Sequence, residues 1–125
     1  MIDYNHFSKS VIGLVRKANE DSIGSISKEH SNGNGSIHIV CDGMGGHVGG
    51  ATASQTAIKS ITEFFKKRTY NDPIKALKQS IEFANSQIFS MAENDPSLRG
   101  MGTTIVILLV KEDKIYIAHV GDSRV

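Results

Sequence analysis

The sequence predicts an α+β fold: an antiparallel sheet with two helices packed on one face. Three observations carry that expectation. β-rich runs cluster towards both ends of the chain, two amphipathic stretches lie together between them, and the last two β-rich runs are joined by a hairpin-length connection. Strands grouped apart from helices favour antiparallel pairing, because each parallel pair needs a long crossover.

Taken in order, Phe7 to Val15 mixes apolar and small residues and reads as a strand, and Ser22 to Ile26 reads as a short second one. Ser27 to Gly35 (SKEHSNGNG) is rich in turn formers and reads as a turn or mobile loop. Ser36 to Cys41 is short and β-branched, a buried strand expected to stop at Asp42 and enter the glycine-dense turn GMGGHVGG. From Gly50 to about Arg68, apolar Ala53, Ala57, Ile61 and Phe64 recur at helical spacing, with Lys66, Lys67 and Arg68 at the carbonyl end of the dipole. That basic triplet reads as a solvated helix end rather than a binding patch.

The second helix opens with Asp72 as N-cap and Pro73 at the first helical position. Ile74, Leu77, Ile81, Ala84, Ile88 and Met91 then form a stripe expected to pack in the core. An irregular ENDPSLRGMG follows. Thr103 to Val110 and Lys114 to Val120 are strands joined through Glu112 and Asp113. The terminal GDSRV leaves a sheet with an open edge, which makes self-association an expected partner interaction.

Composition narrows the function classes. With 125 residues, 39% of them hydrophobic, the chain suits one globular domain over residues 1–125. A net charge of +1 supplies no field for nucleic acid or an anionic membrane. The longest apolar run, Ile105 to Val110, is six residues, far short of the ~20 needed to span a bilayer. The N-terminus lacks the basic-then-apolar pattern of a secretory signal. One cysteine cannot form a disulfide framework, so a cytoplasmic location is expected.

The sharpest chemical feature is Asp42 at the end of an apolar strand, followed by five glycines in eight residues. The plain alternative is a cap and a tight turn, but one capping residue needs no glycine cluster, and glycines cost backbone entropy. Ligand binding is therefore the stronger reading. The dinucleotide fingerprint fails because Val48 stands where its third glycine belongs. A phosphate loop has Gly45, Gly50 and Thr52 in place, but Ala51 replaces its lysine, which leaves a nucleotide-binding module as a distant alternative. A cysteine phosphatase on Cys41 would need arginine at His47, so Cys41 reads as a small buried hydrophobe.

What remains is a hard-cation site of oxygen ligands. Glu20, Asp21, Asp42 and Asp122 sit at strand ends or in turns. Any one of them alone reads as a surface residue. Together they match magnesium or manganese, two of which can clamp a phosphoryl group and activate water. Arg16, four residues before Glu20, offers a guanidinium fork for phosphate. His6, His30, His38 and His119 are scattered, whereas His47, within the glycine segment, is a candidate proton donor.

VRKANEDS (Val15 to Ser22), VCDGMGGHVGG (Val40 to Gly50), MGTT (Met101 to Thr104) and HVGDSRV (His119 to Val125) occur together and in order. This combination resembles the metal-dependent protein Ser/Thr phosphatases (the PPM or type 2C family), in their bacterial branch. The resemblance implies an antiparallel β-sandwich flanked by helices, of which this chain is an incomplete N-terminal half with two helices. It implies two Mn²⁺ or Mg²⁺ ions, with Asp42 bridging them, Gly43 ligating through its carbonyl and Glu20 reaching the second. It further implies Asp21 as a water-mediated ligand, Arg16 on the substrate phosphate and Asp122 on a third, weaker metal. Asp42 and Arg16 are thus the implied catalytic residues. The partners implied are phosphoproteins carrying phospho-Ser or phospho-Thr, opposed by a Ser/Thr kinase. Met44 stands where eukaryotic relatives carry a histidine, so the proton donor stays open. Family domains are about twice this long, so the chain alone is expected to bind metal or phosphate weakly and to turn over poorly.

Overall fold

The computed structural model describes residues 8–11, 19–45 and 47–121. Five strands and two helices follow in the order β1 (Asp21–Ile26), β2 (Ser36–Met44), α1 (His47–Lys67), α2 (Pro73–Asn94), β3 (Gly102–Thr103), β4 (Ile105–Lys111) and β5 (Lys114–Val120), with a 3₁₀ turn at Pro96–Leu98. The sheet is antiparallel in every pairing, with order β1-β2-β4-β5 and β3 added to the far end of β2. The expected α+β class is what forms.

Period-two alternation assigns the faces. Ile26, Ile37, Ile39, Cys41, Ile107 and Leu109 are buried against Ala53, Ala57, Ile61 and Phe65 of α1, and Leu77, Ala84 and Ile88 of α2 complete the core. Burying each large aliphatic side chain contributes roughly 1.5–3 kcal/mol. The opposite face is partly exposed: Val40 is 47% exposed, Ile117 55% and Ile115 65%, while Val106 beside Val40 is buried.

Several boundaries differ from expectation. β2 does not stop at Asp42. It continues to Met44, because Asp42 pairs with Asp21 on one side while Gly43 and Met44 pair with Thr103 and Gly102 on the other. Tertiary pairing overrides the poor strand propensity of Asp and Gly. α1 starts at His47 rather than Gly50, so Gly49 and Gly50 are helical. Phe65, not Phe64, is the fully buried aromatic of α1. On α2, Ile74 (69% exposed) and Met91 (38%) fall outside the core, since a helix of the outer layer buries only a narrow stripe.

Asp72 does cap α2, accepting from the Lys75 amide at 3.2 Å with Pro73 opening the helix. The SKEHSNGNG segment is an ordered turn, with Ser31 and Asn34 buried. Glu112 and Asp113 both adopt positive φ, 52° and 65°, which gives the hairpin the twist its strands require. Of the expected strand Phe7 to Val15, residues 8–11 carry no regular structure, and the rest lies outside the described residues.

Candidate functional site

The β1–β2 ladder ends in carboxylates. Asp21 stands directly opposite Asp42, and both are exposed. The backbone then continues the pairing, as the Gly43 amide donates to the Glu20 carbonyl at 3.1 Å. Alternation puts Asp21 and Asp42 towards the open face and Glu20 towards the helices. The Glu20 carboxyl group lies on the first turn of α1: a Cβ added to Gly50 would sit 2.7 Å from Glu20 Cδ and 2.9 Å from Oε1. A carboxylate beside a helix N-terminus is favoured by the dipole.

The glycines serve packing more than turning. A Cβ on Gly43 would land on the Gly50 carbonyl oxygen and 2.7 Å from the Glu20 carbonyl oxygen. Three backbone segments (before β1, the end of β2, the start of α1) therefore meet with no room for a side chain. Only residues 45 and 46 separate β2 from α1, too few for the loop that a phosphate-loop nucleotide site needs. The distant nucleotide reading falls on that geometry.

Asp42 is clamped through its main chain. The Thr104 amide donates to the Asp42 carbonyl at 2.9 Å, and the Asp42 amide donates to Thr104 Oγ1 at 3.0 Å. Thr104 is buried. The MGTT segment supports the family resemblance, but nothing in residue type or spacing reveals this clamp, because it depends on strand register. Cys41 is fully buried, and desolvation pushes its thiol up to about 12, partly offset by a hydrogen bond with Thr103. It is no nucleophile, as its sequence context suggested.

Of the other expected site residues, Arg16 and Asp122 lie outside the described residues. His47 is the first residue of α1, and its side chain is likewise outside them. His30 is occupied locally, its Nδ1 lying 2.8 Å from Ser27 Oγ.

The donor chemistry fits a hard cation in kind: the Glu20 carboxylate lies where the Gly43–Gly50–Glu20 contact leaves no space for a Cβ, and Asp21 and Asp42 stand opposite each other on the adjoining pair of strands. In number it falls short, for among the described residues no three His, Cys, Asp or Glu side chains converge as a metal-holding group. No helix of the described residues is long and apolar enough to cross a membrane.

Comparison with known proteins gives a consistent outcome. The family model for protein phosphatase 2C matches residues 5–125. The chain is 38% identical to the serine/threonine phosphatase Stp of Listeria welshimeri, over 90% of this chain and 45% of the relative. It is 33% identical to the serine/threonine protein phosphatase PstP of Mycobacterium tuberculosis, over 94% of this chain and 21% of the relative. Among solved structures, the catalytic domain of PstP in complex with two manganese ions superposes with a TM-score of 0.78 at 34% identity, covering 93% of this chain and 47% of that one. Stp1 of Staphylococcus aureus does so with a TM-score of 0.79 at 31% identity, covering 98% and 52%. The chain thus spans about half the length of the Listeria relative and of the PstP catalytic domain.

Proposed function

The chain belongs to the protein phosphatase 2C family, and from that premise we propose that it serves metal-dependent hydrolysis of phosphoserine and phosphothreonine monoesters on proteins. The observation that carries this reading is the register of β1 against β2, which sets Asp21 and Asp42 face to face. Like charges directly opposite each other destabilise a strand pair, and a divalent cation converts that repulsion into attraction. The family motif supports Asp42 as the bridge between two manganese or magnesium ions, Gly43 as a carbonyl ligand and Glu20 as a ligand of the second ion. It likewise supports Asp21 acting through water and Asp122 holding a third ion.

When bound, such ions lower the pKa of coordinated water and neutralise charge on the transferring phosphoryl group. The chain's own contribution is placement. Asp42 presents its carboxylate from a main chain clamped at both its amide and its carbonyl. Arg16 orients the substrate phosphate through a two-pronged guanidinium contact. His47 is the proposed donor of the proton to the departing serine or threonine oxygen, since Met44 has none to give. The substrates are phosphoproteins, the opposing activity is a Ser/Thr kinase, and the single cysteine supports a cytoplasmic setting. Among the described residues β1 and β5 are the edge strands of the sheet, which supports self-association.

One observation favours a second reading, in which the chain alone binds metal weakly and does not turn over: no three acidic, His or Cys side chains converge among the described residues. A single experiment separates the two. The intact protein is incubated with a phosphothreonine peptide and Mn²⁺, then with chelator, and then as Asp42→Asn. Manganese-dependent release of phosphate, abolished by chelator and by Asp42→Asn, is the expected outcome. Manganese binding without turnover supports the second reading. Turnover that survives both chelator and Asp42→Asn refutes the proposal.

A further inference from the structure

β2 keeps one register past β4 and β3. Val40 faces Val106 and Gly43 faces Thr103, so Asp42 faces Thr104. In an antiparallel hydrogen-bonded pair the two residues exchange both backbone bonds. Here one bond is ordinary, from the Thr104 amide to the Asp42 carbonyl at 2.9 Å. The return bond is not. The Asp42 amide donates to the Thr104 side-chain oxygen at 3.0 Å instead of to the Thr104 carbonyl. That carbonyl is taken by the Thr103 hydroxyl, 2.8 Å away. The ladder breaks at this pair, with β3 ending at Thr103 and β4 beginning at Ile105.

We propose that Thr103 is a positioning residue for Asp42. Its hydroxyl, donating to the Thr104 carbonyl, keeps that carbonyl turned out of the ladder. The Thr104 hydroxyl then takes the Asp42 amide in its place. Because a side chain stands in for a carbonyl, the position of the Asp42 amide is set by the Thr104 hydroxyl, and the backbone that carries the Asp42 carboxylate is held with it. What the aimed carboxylate holds rests on the phosphatase reading above. That Thr103 sets the ladder does not.

Thr103→Val removes the hydroxyl at nearly constant volume, and Thr103→Ser retains it. In the intact protein, calorimetric titration with Mn²⁺ should show Thr103→Val binding on the order of 10- to 100-fold more weakly, while Thr103→Ser stays within about threefold of wild type. A second measurement needs no metal. The through-hydrogen-bond coupling between the Asp42 amide nitrogen and the Thr104 carbonyl carbon should be absent in wild type and in Thr103→Ser. It should appear in Thr103→Val, where the freed carbonyl rejoins the ladder. A coupling already present in wild type, or one that stays absent in Thr103→Val, overturns the proposal. So does unchanged manganese affinity alongside a restored coupling, which would make the hydroxyl merely structural. Wild-type protein that binds no manganese overturns the phosphatase reading and the purpose assigned to Thr103, while the coupling still decides whether Thr103 sets the ladder.

Discussion

Replacing Asn34 by alanine should unseat the end of α1. Asn34 is 2% exposed. Its side-chain amide donates to the carbonyls of Ser31 at 2.8 Å, Phe65 at 2.8 Å and Arg68 at 2.7 Å, and its Oδ1 accepts the Tyr70 amide at 2.8 Å. Two amide hydrogens serve three acceptors, so one is shared. Phe65 lies in the last turn of α1, where carbonyls have no helical donor. Not every partner is orphaned by the substitution. The Ser31 carbonyl keeps the Asn34 backbone amide at 3.2 Å, and Arg68 is exposed, so water reaches its carbonyl. The Phe65 carbonyl and the Tyr70 amide are left without partners. At about 1–3 kcal/mol for each buried unsatisfied group, Asn34→Ala should cost about 2–6 kcal/mol, a large share of the 5–15 kcal/mol typical of a folded domain.

Urea unfolding of the intact protein, followed by circular dichroism, checks this through the transition midpoint at unchanged slope. A loss below about 1 kcal/mol refutes the accounting. Asn34→Asp sharpens the test. The introduced carboxyl still accepts from Tyr70, but when ionised it faces carbonyl oxygens that need donors. Burial raises its folded pKa above its unfolded value, so stability should recover as pH falls through that raised pKa and be lost again as pH rises.

Two further outcomes follow from close contacts. Gly43→Ala places a methyl group on the Gly50 carbonyl oxygen and 2.7 Å from the Glu20 carbonyl. Both obstacles are backbone, so the variant should lose about 3 kcal/mol or more, read as a fallen melting temperature or loss of folded protein; wild-type melting would refute the three-segment contact. Cys41, its thiol pushed from 9.0 up to about 12 by burial, should resist a disulfide reagent at pH 8 in the native state and react fully in denaturant. Its contribution to stability is fully present below pH 9 and is lost as pH rises towards 12. Rapid labelling of native protein at pH 8 refutes the burial.

Where the structure obeyed local chemistry, the sequence was readable. Asp72-Pro73 announced the start of α2 because a cap and a proline act within one turn. The hairpin at Glu112-Asp113 was legible from two β-forming runs with a two-residue gap. Glu20, Asp21, Asp42 and Gly43 are backbone neighbours at the end of the β1–β2 ladder, with Glu20 on the other side of the sheet from the two aspartates. Less was legible about how they meet. The glycine segment looked like a loop, yet Gly43 is in a strand and Gly49 and Gly50 are in a helix, because close approach of neighbouring backbones needs the same residue that a turn does.

Short-range spacing therefore determined the cap of α2 and the hairpin, each settled within a few positions along the chain, and the order of the β-rich and amphipathic runs determined the α+β class. Only the assembled sheet decided that β2 runs on through Asp42 to Met44, that Phe65 rather than Phe64 fills the core, and that Thr104 grips Asp42 by its side chain. Those outcomes depend on which distant strand lies alongside and in what register. Register is set by the burial of a whole face at once and by no single residue within it.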